Sequence, residues 1–182
     1  MFISNKLKQY YESLDIKWND FRANYIWQHE VESLFTLNES GIRKIYSEYS
    51  HHNRDYVLKP HNATWMIYED CEELLKFDCH MNMSRFILRE AFALSKMPVN
   101  QEHDSKALPK YKKLLYVEFL EFLARVSDLF FAGSEMETLE LHEKIEYVLD
   151  EILPIVNYKR VKQQIIIDEF SESDEDYWHL LK

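Results

Sequence analysis

Residues 114–131 read LLYVEFLEFLARVSDLFF, and this stretch decides the fold class. Its apolar residues recur at i, i+3, i+4 and i+7, the spacing found on the buried face of an α-helix. They are Phe119, Phe122, Leu123, Val126 and Phe130. The spacing predicts a helix over residues 116–131 with one face in a hydrophobic core.

Four other segments have the same periodicity, and it predicts helices over residues 39–50, 60–77, 84–96 and 141–152. The first of them places Ile42, Ile45, Tyr46 and Tyr49 on one face. The chain has only 2 glycines and 4 prolines in 182 residues, so few tight turns are obligatory. Together these features predict an all-α protein.

Composition excludes several function classes. Two glycines leave no G-x-G-x-x-G sequence, no P-loop and no nucleophile elbow. A net charge of −10 disfavours binding to nucleic acid, which needs clustered cations. No run of apolar residues is long enough to predict a membrane span, and two cysteines favour a reducing, intracellular setting. No cofactor is expected.

The helices are arranged as helix–loop–helix, twice. The first unit contains IRKIYSEYS at 42–50, followed by Tyr56 and Val57; the second contains LREAFALSK at 88–96, followed by LLYVEF at 114–119. On these residues the chain resembles a pair of EF-hands of the calmodulin superfamily, over residues 39–131. The resemblance implies that Val57 and Leu114, at loop position 8, pair in a short two-stranded ribbon. It also places Glu118 at loop position 12.

A calcium site of this family requires oxygen ligands at positions 1, 3, 5 and 12; the first loop has no carboxylate at any of them, and the second has one only at position 12. With Val57 at position 8, the first loop runs from Ser50 to His61 and puts Arg54 at position 5. The second loop starts at Ala107, with no carboxylate before Glu118. We therefore expect no metal site; the weak candidates are Glu102, Asp104 and Glu118.

The resemblance then implies a calcium-independent, non-enzymatic interaction or structural subunit that holds a partner protein segment in an apolar groove. The expected partner-binding residues are Phe119, Phe122, Leu123, Val126, Phe130, Ile42, Ile45, Tyr46, Tyr49 and, near the C-terminus, Trp178. The sequence is also similar to degenerate EF-hand-like segments of axonemal proteins, which implies a multi-subunit assembly in the cytoplasm or the cilium.

The segments outside the pair are expected to add contacts. Residues 1–37 form an aromatic-rich N-terminal extension, residues 38–132 form the EF-hand-like pair, and residues 133–182 hold a C-terminal helix and an acidic tail. Tyr and Trp are favoured anchors at protein interfaces. Residues 1–37 are therefore predicted to wrap either a partner or this domain.

Three alternatives remain open at this stage. A calcium-regulated sensor would use a non-standard second loop with Glu102, Asp104 and Glu118. A zinc site would draw on Cys71, Cys79 and His80 with other histidines, although their spacing matches no zinc finger. An enzyme would need a defined set of polar residues, and nothing in the sequence selects one.

Overall fold

The computed structural model describes residues 19–50, 65–96 and 108–162. These residues form six α-helices: α1 (His29–Leu37), α2 (Glu39–Ser50), α3 (Tyr68–Glu72), α4 (Arg85–Leu94), α5 (Tyr116–Phe131) and α6 (Leu141–Ile152). π-Helical turns occur at Arg22–Ile26 and Glu73–Asp78, and 3-10 turns at Leu108–Lys112 and Leu153–Val156. The described residues contain no strand, so the predicted all-α fold is confirmed. None of their helices is long and apolar enough to cross a membrane.

The described helices include the two predicted pairs, α2 with α3 and α4 with α5, which we call the two units; residues 51–64 and 97–107 lie outside the described residues. One isolated antiparallel β-bridge joins the two units just before α3 and α5 begin. Its partners, Met66 and Leu114, exchange two backbone hydrogen bonds of 3.0 and 2.8 Å. Both residues are fully buried, so water does not compete for these bonds.

The bridge corrects two predictions from the sequence. Leu114 pairs as expected, but its partner is Met66 and not Val57, which lies outside the described residues. The helix predicted to start at residue 60 starts at Tyr68, because residues 65–67 are extended around the bridge. The sequence analysis placed the bridge position at Val57, whereas the bridge residue Met66 is nine positions further along the chain.

The apolar residues assigned to a partner groove lie in the core of this chain. Those with no exposed area are Phe119, Phe122, Leu123, Val126, Ile42 and Ile45, while Tyr49 is 1% exposed and Tyr46 is 9% exposed. Phe130 is half-buried, and Trp178 lies outside the described residues. These eight positions belong to the core of the described residues, and their role in partner binding stays a prediction.

The chain's own flanking segments close this core. Helix α5 packs between α4 and α6, and α1 packs on α6. Val31 and Leu34 from α1 and Ile145, Val148 and Leu149 from α6 belong to the same hydrophobic cluster as the residues of the helix pairs. The described parts of all three predicted segments therefore share one core.

Gly41 permits the close contact between α2 and the turn that follows α6. A Cβ atom at this position would lie 2.4 Å from a ring carbon of Tyr158 and 2.8 Å from a methyl carbon of Leu153. Only the absence of a side chain lets these residues approach the α2 backbone. This glycine therefore serves the packing of the C-terminal segment and not a turn.

We expect Phe122→Ala to lower the free energy of unfolding by about 3–5 kcal/mol, because it removes a fully buried ring and leaves a cavity. The matched control is Phe86→Ala, whose ring is 74% exposed and whose loss should change stability by less than about 0.5 kcal/mol. Urea denaturation measures both variants. Equal effects of the two substitutions would show that α5 does not pack as described.

Stability should fall at alkaline pH. Burial raises the pKa of the Cys79 thiol to about 12, and burial also raises the pKa values of Tyr46 and Tyr49 above their usual range. The unfolded chain loses these protons first, so unfolding becomes easier as the pH rises from about 9 toward 12, while these three groups do not change stability below about pH 8. Urea denaturation across this range should show the fall, and Cys79→Ser should reduce its slope. A flat profile would contradict the burial of these groups.

Candidate functional site

Two acidic side chains occupy equivalent places at the starts of α3 and α5. Asp70 Oδ2 accepts a hydrogen bond of 2.7 Å from the Ile67 backbone N–H. Glu118 Oε2 accepts one of 2.8 Å from the Leu115 backbone N–H. In each unit the carboxylate lies four residues after the bridge residue and satisfies an N–H group at the positive end of its helix. The two units are therefore alike in detail around the bridge.

Lys96 lies against the second of these carboxylates. Its Nζ is 2.6 Å from Glu118 Oε2, and each side chain has only 6% of its area exposed. Lys96 follows the C-terminal end of α4, while Glu118 is in the first turn of α5, so the ion pair connects the two helices of the second unit. A buried ammonium is tolerated when a carboxylate and further hydrogen bonds compensate its charge.

This ion pair shows what one of the three weak metal candidates, Glu118, contacts. Glu118 contacts a lysine of its own chain, and Glu102 and Asp104 lie outside the described residues. Within the described residues no group of three or more His, Cys, Asp or Glu side chains could hold a metal ion. Of the zinc candidates, Cys71 is buried in the core, and Cys79 donates a weak hydrogen bond of 3.6 Å to the Glu151 carbonyl.

Tyr46 connects α2 to the bridge. Its hydroxyl donates a hydrogen bond of 2.9 Å to the Leu114 carbonyl, the same carbonyl that accepts from Met66. Its ring packs against Tyr116 and Phe119 at centroid distances of 5.3 and 5.5 Å. Burial is the main reason that the pKa of Tyr46 is raised, with the nearby Glu118 charge adding to it. Tyr46, which the sequence assigned to the partner groove, therefore links α2 to the bridge within the core.

A different apolar surface is open to solvent. A groove of about 500 Å³ lies between the Arg22–Ile26 turn, α1 and the start of α5. It is lined by Ile26, Trp27, Phe35, Val117 and Leu120, together with the polar residues Arg22, Glu32, Thr36 and Glu121. Trp27 is 73% exposed and Val117 is 65% exposed, so two large apolar side chains face water beside a partly buried floor. We call this surface the Trp27 groove.

The charges inside the Trp27 groove are mostly compensated. Glu121 accepts hydrogen bonds from Arg22 Nε at 3.0 and 2.9 Å and from Arg125 Nε at 2.8 Å. The Arg125 guanidinium also lies 4.5 Å from the Phe21 ring centroid, a cation–π contact, and burial lowers its pKa. Glu32, in contrast, is exposed and has no ion pair with any residue that the structure describes.

The residues that the sequence did not single out are Lys96, Val117 and Glu32. A basic residue just after a helix is common, because it interacts favourably with the negative helix end, so Lys96 carried no distinctive signal. Val117 falls off the apolar face of α5, and its position there was the one available indication that it faces solvent. Trp27 belonged to the aromatic segment predicted to make contacts, although no role was assigned to it.

Neither a protein-family model, nor a curated protein, nor a solved structure matches this chain.

The buried ion pair should behave as one unit in a double-mutant cycle. Lys96→Met removes the ammonium that compensates the buried Glu118 carboxylate and should lower the free energy of unfolding by about 3–5 kcal/mol. Glu118→Gln keeps an acceptor for the Leu115 N–H but leaves the ammonium without its counter-charge. The double variant should be more stable than the sum of the single losses predicts, by about 0.5–3 kcal/mol in urea denaturation.

The matched control for this cycle is the exposed Arg43–Glu39 pair in α2, whose side chains are 59% and 49% exposed. Solvent screens that pair, and its coupling should be much smaller than that of Lys96 and Glu118. Additive losses at Lys96 and Glu118 would mean that the two charges do not interact in the folded protein.

Proposed function

We propose that this protein is a calcium-independent, EF-hand-like scaffold that binds a segment of a partner protein within a larger assembly. The observation that supports it best is the Lys96–Glu118 pair beside the Met66–Leu114 bridge. If the two units are EF-hands, Met66 and Leu114 lie where the two hands would pair, and Lys96 and Glu118 lie where the second hand would bind calcium. The role is structural and non-enzymatic.

The corrected register makes the two units equivalent. With Leu114 at loop position 8, Glu118 falls at position 12; with Met66 at position 8, Asp70 falls at position 12. The residue at position 12 of a calcium-binding hand has a carboxylate that ligates the ion with both of its oxygens. Both carboxylates remain in this chain, and each accepts the backbone N–H of the residue after the bridge.

Lys96 supplies a positive charge in place of an ion. Its nitrogen lies 2.6 Å from a Glu118 oxygen, so a calcium ion bound to the same carboxylate would be repelled by the ammonium beside it. Calcium would have to displace the ammonium and leave it buried without its partner, which costs several kcal/mol. A covalently attached cation keeps the second unit in one shape at every calcium concentration.

An interaction role is supported by where the apolar surface lies. The surface that a pair of hands would offer to a partner helix is closed by this chain's own α1 and α6. The Trp27 groove is exposed and lined largely by apolar side chains. A place in the ciliary axoneme remains a prediction that rests on the sequence resemblance alone.

Calcium titration tests the proposal. We expect neither heat nor a change in tryptophan emission when calcium is added to millimolar concentration to the metal-stripped full chain. The melting temperature should be the same in calcium and in chelator, for the wild type and for Glu118→Gln, with magnesium as the matched control. Micromolar calcium binding that Glu118→Gln abolishes would overturn this proposal and establish the calcium sensor.

Partner capture tests the interaction role separately. We expect cross-linking of the full chain in extracts of its own cells to recover the same protein partners in calcium and in chelator. A partner set that appears only with calcium would favour the sensor, and recovery of no partner at all under either condition would argue against an interaction role.

A further inference from the structure

We propose that the Trp27 groove binds one apolar face of a basic amphipathic helix from a partner protein. This inference rests on the proposed interaction role and adds to it the surface and the chemistry of the partner. The groove is about 500 Å³, and the exposed side chains of Trp27 and Val117 line it together with partly buried apolar residues. The floor is formed by Ile26, Phe35 and Leu120.

The shape of the groove favours a helix over an extended peptide. An extended peptide gains affinity by pairing its backbone with unpaired backbone groups at a sheet edge. Every apolar residue lining this groove except Trp27 belongs to a helix or helical turn, where backbone groups already bond along the chain. The partner must therefore bind through side chains, and an amphipathic helix presents its anchors at i, i+3, i+4 and i+7.

Trp27 and Val117 are the anchors on this side of the interface. Trp27 comes from the turn before α1, and Val117 comes from the first turn of α5, so the two side chains are contributed by separate elements. Tryptophan is the residue type most enriched where truncation costs the most binding energy. An inserted apolar side chain between them would cover surface that each now exposes to water.

The charges favour a basic partner. Of the charged residues that line the groove, Arg22 is cationic, whereas Glu121 and Glu32 are anionic, and Glu32 has no ion pair with a described residue. The chain as a whole has a net charge of −10. A Lys or Arg on the flank of the bound helix would meet Glu32, and the net charge would accelerate encounter with a cationic partner.

A second copy of this chain is the less favourable occupant for the same reason. It would bring its own net charge of −10 to a rim that already carries an unpaired carboxylate. Like charges brought together at an interface suppress association. The occupant that fits the charges is a partner of opposite sign.

The test is a selection of peptides on the immobilised full chain from a displayed library of helical sequences in which charge and apolar positions are randomised. Selected peptides should share apolar residues at i, i+3, i+4 and i+7 and carry Lys or Arg beside them. Their affinity should fall tenfold or more with Trp27→Ala and with Val117→Asp. The latter change leaves α5 intact, because an acidic residue is favourable in a first helical turn. Phe86→Ala is the matched control, since Phe86 is 74% exposed and does not line the groove.

Two matched variants test whether the groove prefers a basic partner. Glu32 and Glu30 are both exposed in the first turn of α1, but only Glu32 lines the groove. Glu32→Lys should weaken the basic peptides and, in a repeated selection, enrich acidic ones. Glu30→Lys makes the same change in net charge and should leave the selected consensus basic.

Three outcomes would overturn the inference. Peptides that bind equally well to Trp27→Ala, to Val117→Asp and to the wild type would place the binding surface elsewhere while leaving the interaction role intact. A dimer in sedimentation that Val117→Asp dissociates and Phe86→Ala does not would identify a second copy as the occupant. Peptide affinity that rises tenfold in Trp18→Ala or Trp178→Ala would show that the chain's own terminal segment occupies the groove.

The proposed function fails in a different way. If extracts yield no partner in calcium or in chelator, the interaction role is lost even when synthetic peptides bind the groove. If extracts yield partners that still bind Trp27→Ala and Val117→Asp, the interaction role stands and the groove assignment fails. The two failures therefore give different results in the two experiments.

Discussion

Two backbone hydrogen bonds between Met66 and Leu114 determine where α3 and α5 begin, and the rest of the packing depends on them. They join residues that are distant in sequence, at the only β-bridge among the described residues. Both partners have no exposed area, so the bonds are not exchanged for bonds to water. With the two helix starts held side by side, Phe119 and Phe122 of α5 enter the core against α2 and α4. Tyr46 then extends the same network to α2 through the Leu114 carbonyl.

Two carboxylates lie buried beside this bridge, and the protein must compensate their negative charges. Asp70 is fully buried and Glu118 is 5% exposed, and anions at such sites are costly unless donors surround them. The helix N-termini and the adjacent N–H groups compensate part of this charge. At Glu118 the Lys96 ammonium compensates more of it. A mobile ion could do the same only while its concentration is high enough. An attached cation is always present, so the compensation of the Glu118 charge does not depend on the concentration of a free ion.

The sequence predicts the helices well and the connections poorly, for a physical reason. Apolar periodicity is a local property, and the predicted helices at 39–50, 116–131 and 141–152 match Glu39–Ser50, Tyr116–Phe131 and Leu141–Ile152. The partner of Leu114 is a non-local property, and no local pattern distinguishes Met66 from Val57. The burial of Ile42 or Phe122 follows from periodicity, but periodicity does not tell whether a partner or the chain's own α6 covers them. Gly41 is a similar case, since its role depends on Tyr158, far away in sequence.

A chain that covers its own core leaves only its outer surface for contact with other proteins. In this chain α1 and α6 bury the central apolar faces, and that burial stabilises the monomer whether or not a partner is present. Surface grooves form where α1 and α6 meet the central helices. The Trp27 groove is one of them and lies between α1 and the first turn of α5. The floor at Leu120 and Phe35 continues inward toward the packed core, whereas Trp27 and Val117 remain outside it. Recognition at this edge requires no opening of the core, so binding need not be offset by a loss of folding energy.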